Sequence, residues 1–219
     1  MALSKVNFNS MNVTPSASKA IKFNSSNNGL ETGDIAGSLI LLSTTTVSSS
    51  TSNVTFSSGI DSTYKEYIFK FTDVQGANEQ ELVVDFSSDG GSTYDKTYTT
   101  AFFRAAHNEA DTDDSVAYVT ARDLADSGAR PFLSVPIGTN ADESGAGFMH
   151  LFDPSNTSNV THFIAETQIY VGDGSDAGSY SQNSFVGGFC NTTSAIDAIK
   201  FEMDSGNIDS GIFKMYGVL

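Results

Sequence analysis

The sequence predicts an all-β chain: an antiparallel β-sandwich or jelly roll preceded by an extended N-terminal arm. Three observations lead there. Apolar residues alternate at period two through most of the chain, most clearly at residues 62–98, where Tyr67, Phe69 and Phe71 share one face and Ile68, Lys70 and Thr72 the other. Turn signals recur at intervals of roughly 8–12 residues, the spacing of short antiparallel strands. The composition is rich in Ser, Thr and Asn, with 19 Gly, 16 Phe and 8 Tyr but only 17% charged residues. Such a chain suits strands and polar turns, whereas a helical bundle needs more Ala, Leu, Glu and Lys.

Residues 1–36 read as an arm distinct from a sandwich over 37–219. Three of the 11 basic residues lie in the arm (Lys5, Lys19 and Lys22), against Glu31 and Asp34. Val6, Phe8, Val13, Ile21 and Phe23 are its apolar residues, too few to build a core alone. The arm is either disordered or ordered on a partner surface; the regular spacing favours docking, with those five as the candidate docking residues.

The sandwich begins with a buried strand at 38–43, continued or bent through 44–48. An alternating strand follows around Val54 and Phe56, and residues 57–61 turn into a central hairpin. The hairpin pairs the Tyr67–Phe71 strand with one that sets Leu82, Val84 and Phe86 against Val83 and Asp85. Asp89-Gly90-Gly91 closes it as a tight turn, since glycine tolerates positive φ.

Tyr94, Tyr98 and Phe102 open the next strand, and residues 107–114 form an acidic loop. Short strands are predicted at 116–120 and 130–135. Longer ones lie at 147–152, with Phe148, His150 and Phe152 on one side, and at 160–171, with Phe163, Ala165, Thr167, Ile169 and Val171 on one face. After a glycine-rich loop at 172–178 and a strand at 184–190, a last hairpin pairs 198–203 with 212–218. That makes roughly ten strands and no helix, with no fixed-period repeat of the propeller or β-helix kind.

The formal net charge is −15, from 26 acidic and 11 basic residues. Phosphate contacts require Lys and Arg, so the charge argues against a nucleic-acid binder and against docking on anionic lipid. No apolar run is long enough to span a bilayer; the most apolar, Leu39–Leu42, is four residues. No apolar segment follows Met1–Lys5 to form a secretion signal, so synthesis in a cytoplasm is expected. The six Asn-X-Ser/Thr sequons then reflect composition rather than glycosylation. The single cysteine, Cys190, lies in an apolar run and reads as a buried, inert thiol.

No catalytic signature stands out, and the chain reads as non-enzymatic. His107, His150 and His162 lack metal-ligand spacing, and no nucleophile elbow, phosphate loop or dinucleotide fingerprint is present. No cofactor is expected. Asp111, Asp113 and Asp114 are weak candidates for calcium, because sandwich loops supply oxygen ligands. Their loop lacks the sixth-position glycine and closing glutamate of an EF-hand, which favours a solvated loop.

The run Leu39-Ile-Leu-Leu-Ser-Thr-Thr-Thr-Val-Ser48, continued by Phe56-Ser-Ser-Gly-Ile-Asp-Ser-Thr-Tyr-Lys-Glu-Tyr-Ile-Phe-Lys-Phe71, resembles a module of virion proteins of tailed bacteriophages, marine and cyanobacterial ones in particular. Phe86-Ser-Ser-Asp-Gly-Gly-Ser-Thr-Tyr94 and the C-terminal pair of strands at 199–218 belong to the same pattern. The resemblance covers most of 37–219, lies in structural motifs and leaves the arm outside.

It implies a virion structural protein, a tail fibre or appendage ahead of a capsid decoration or cement protein. Its partners would be other virion proteins and further copies of itself as a homotrimer. The alternative is a carbohydrate-binding module engaging host surface glycans, with Tyr94/Tyr98 or Tyr170/Tyr180 as stacking pairs, a reading weakened by the absence of Trp.

Overall fold

A computed structural model describes residues 13, 19–26, 28–33, 37–172 and 179–219. The chain forms two compact units, residues 1–38 and 39–219. The first contains a hairpin of β1 (Ala20–Phe23) and β2 (Leu30–Gly33), in which Phe23 lies opposite Leu30 and Ile21 opposite Thr32.

In the second unit the alternating sequence produces antiparallel strands in two sheets. The larger sheet takes β3 (Leu39–Val47), β14 (Ile208–Val218), β5 (Glu66–Gly76), β10 (Gly145–Phe152), β11 (Thr161–Val171), β12 (Tyr180–Cys190), β7 (Tyr98–Asn108) and β8 (Asp114–Tyr118) in that order, with β9 (Leu124–Ser127) also on β7. The smaller sheet is β4 (Val54–Phe56), β13 (Ala198–Met203) and β6 (Leu82–Ser87). Among the described residues there is no helix. The division into nine and three strands differs from the four-and-four of a two-sheet jelly roll.

The core fills the space between the sheets. Phe201, on β13, meets the rings of Phe56, Phe69, Phe71 and Phe213 at centroid distances of 6.3, 5.6, 6.2 and 5.7 Å. Phe86 meets Tyr98 and Phe163 edge-on at 5.5 and 5.4 Å. Tyr67, Phe69 and Phe71 are buried, as the alternation requires.

Both predicted hairpins are corrected. β5 lies in the large sheet and β6 in the small one; likewise β14 and β13. Each pair is an arch that crosses between sheets, and the two arches bond to each other, Ala77 N–H to Asn207 O (2.9 Å) and Asp204 N–H to Glu81 O (2.9 Å). The reason is burial. A hairpin would lay both apolar faces side by side and leave them needing cover, whereas an arch turns Tyr67/Phe69/Phe71 and Leu82/Val84/Phe86 towards each other.

Two further expectations change. The strand at 38–43 is an edge strand, paired only with β14, and leaves Leu39 and Leu41 exposed. Residues 130–135 form no ladder. Pro131 and Pro136 lack the N–H a strand must donate, so this segment meets β6 through a single bridge, Val83 to Phe132, and just beyond it Ile137 bridges Gln80 ahead of β6. The turn at Asp89 is as predicted, with Gly90 and Gly91 at φ 72° and 85°. The loop expected at 172–178 falls, beyond Gly172, outside the described residues.

Candidate functional site

The acidic loop closes on itself. Asn108 Oδ1 accepts the amides of Thr112 and Asp113, both at 3.0 Å, and Asp111 takes positive φ at the tip. Its carboxylates diverge: Asp111 contacts His107 Nε2 (3.1 Å), Asp113 accepts the Tyr180 hydroxyl (3.0 Å), and Asp114 enters β8 opposite His107. Among the described residues no three His, Cys, Asp or Glu side chains converge as a cation site would need.

Other ionisable groups hold the scaffold. The Ser87 hydroxyl, with the Thr93 amide and hydroxyl, draws the Asp89 pKa down to about 2 and fixes the Asp-Gly-Gly turn. Burial pushes Asp85 up, against the Tyr98 hydroxyl (2.6 Å) and the charge of Lys200. Replacing Tyr98 by phenylalanine would leave this buried carboxylate with the Phe86 amide (3.0 Å) but without its hydroxyl partner, at a cost of about 1–3 kcal/mol measurable by urea unfolding. Burial likewise lifts the Cys190 thiol to about 12, which keeps it protonated and unreactive at neutral pH.

Glu143 is buried, and burial alone would raise its pKa. The amides of Asn140 and Gly172, both 2.7 Å away, outweigh burial and hold it below the ordinary 4.5. A carboxyl depressed in the folded state stabilises above its unfolded pKa and loses that contribution as pH falls through the folded value. Glu143→Gln is therefore expected to cost about 1–3 kcal/mol at pH 7 and to flatten stability against pH below 4.5. Unfolding curves across that range check it.

The tyrosine pairs do not form stacking platforms. Tyr98 is buried, and Tyr170 pairs with Ser181 while Tyr180 pairs with Val171, so Tyr170 and Tyr180 face opposite sides of the sheet.

What the structure exposes is apolar surface, in two places. On the hairpin, Phe23 is 71% exposed and shares a face with Ile21 and Leu30, while Lys22 and Glu31 pair at 3.5 Å on the other. Of the predicted docking residues, Ile21 and Phe23 are thus brought together, with Leu30 added. Val13 is buried, and Val6 and Phe8 lie outside the described residues.

The second place is the outer face of the large sheet. Phe103 and Phe185 stack at 5.0 Å, and Phe148 and Phe152 flank His150, whose Nδ1 contacts the Glu66 carboxylate. Phe103, Phe148 and Phe185 line, with Ile164 and Gly187, a groove of about 310 Å³. At Gly187 a Cβ would meet only Ile164 Cγ2, at 3.9 Å, so the groove floor is open. Sequence reading missed this face, although Phe102-Phe103, Phe163-Ile164 and Phe185-Val186 announce it: adjacent large apolar residues in an alternating strand place one on each side. Antiparallel sheets with one solvated face are normally polar there, and an apolar patch of this extent marks an interaction surface.

No protein-family model, curated protein or solved structure matches the chain.

Proposed function

We propose that the chain is a non-enzymatic structural protein of a tailed-phage virion, made in the host cytoplasm and attached to the particle through its N-terminal segment. A tail fibre or appendage is favoured over a capsid decoration protein. The observation that carries this reading is the hairpin of residues 20–33. Two strands alone are marginally stable in water, yet this hairpin leaves Ile21, Phe23 and Leu30 exposed on one face, a face that gains stability against a partner. The sandwich supports the same role, because its buried carboxylates and tight loops are spent on holding the fold, and the sequence resemblance points to virion proteins.

Phe23→Asp tests the attachment. The variant should match the native thermal stability of residues 39–219 yet be lost from assembled particles, read by mass spectrometry of purified virions. Incorporation at the native level would sink the proposal.

A further inference from the structure

The outer face of the large sheet has a register symmetry about β10. Phe148 lies between Glu166 on β11 and Lys70 on β5, His150 between Ile164 and Ile68, and Phe152 between His162 and Glu66. Each flanking pair is complementary: acid with base, isoleucine with isoleucine, histidine with acid. Lys70 and Glu166 are in no ion pair among the described residues. Glu166 Oε1 accepts only the Asn183 amide at 3.0 Å, and Lys70 rests 5.8 Å from the Tyr216 ring.

We propose that this face binds a second copy of the chain, the two sheets packing face to face about a two-fold axis that runs parallel to the strands along β10. Such an axis reverses the strand order and keeps the rows. Glu166 of one copy then meets Lys70 of the other, Ile164 meets Ile68, and His162 meets Glu66, each contact occurring twice. Further from the axis, Tyr216 of the second copy stands over the open floor at Gly187. Sheets packed this way cross at about 30°, which displaces the rows beside the axis least.

Charge and area favour a second copy over an unrelated partner. Two chains of net charge −15 repel over most of their surface, but on these rows Glu66 and Glu166 are balanced by Lys70 and Lys214, with His150 and His162 beside them. Three rows crossing the seven strands that overlap about β10 cover roughly 700 Å² of sheet, close to the ~800 Å² per partner of a stable interface. Two-fold pairing is an alternative to the three-fold association that the resemblance implies. It stands apart from the virion reading, since it concerns the purified chain and not its place in a particle.

Charge reversal tests it. The native chain should sediment at twice its 23.2 kDa mass. Lys70→Glu and Glu166→Lys should each keep the native melting temperature and weaken self-association by about tenfold or more, because each creates two like-charge contacts. Mixed in equal amounts, the two variants should associate with near-native affinity, since in the mixed pair both contacts are again acid with base. A native chain that is monomeric or trimeric overturns the proposal, as does a mixture that associates no better than either variant alone. Restored association on mixing also establishes that both variants fold.

Discussion

Phe201→Ala is expected to lower the free energy of unfolding by about 3–5 kcal/mol, the range for removing a fully buried aromatic ring. Phe201 is fully buried and meets four other rings, two on β5 and one each on β4 and β14, so it is the point at which both sheets and both arches touch. Its neighbours are ladder residues of a closed stack, and little collapse into the cavity is open to them. In urea the midpoint should fall while the slope stays constant. A loss under about 1 kcal/mol would place Phe201 outside the core. Phe69→Ala and Phe86→Ala belong to the same class.

Gly147→Val tests the opposite limit, overfilling. Gly147 lies on the inner side of β10 between Phe71 and Thr167, and a Cβ there would sit 2.3 Å from the Glu166 carbonyl oxygen and 2.8 Å from the Phe71 ring. The ring can shift; the backbone carbonyl belongs to the β10–β11 ladder and cannot shift without breaking it. A cost of about 3 kcal/mol, at the upper end for an overpacked core, is therefore expected. Gly187→Val is the control: it faces open space on the outer side of β12, and its melting temperature should stay near native.

The strands themselves were legible, because period-two alternation is a local property. Tyr67, Phe69 and Phe71 bury as read, and so do Phe163, Ala165 and Ile169. Pairing is not local. Alternation in β5 and β6 is the same whether they lie side by side or face each other, and only the need to cover two apolar faces at once selects the arch. Edge position escaped for a related reason: Leu39-Ile-Leu-Leu42 looks buried by composition, but β3 has a neighbour on one side only. Pro131 and Pro136 did carry a readable warning against a strand at 130–135.

The candidate site was legible in part. Ile21 and Phe23 were identifiable as docking residues, whereas Leu30 is recruited by a hairpin register no spacing rule supplies. The outer face of the large sheet shows in sequence only as doubled apolar residues such as Phe102-Phe103. The outward member of each pair (Phe103, Ile164 and Phe185) joins one surface when β7, β12 and β11 stand side by side.

Reconstruction of intact particles by electron cryo-microscopy tests the central claim most directly, that this chain is a structural component built into a virion. The account predicts the sandwich at fixed, repeating positions, with the hairpin of residues 20–33 against a neighbouring particle protein. Particles that are complete and infectious without this chain would contradict it.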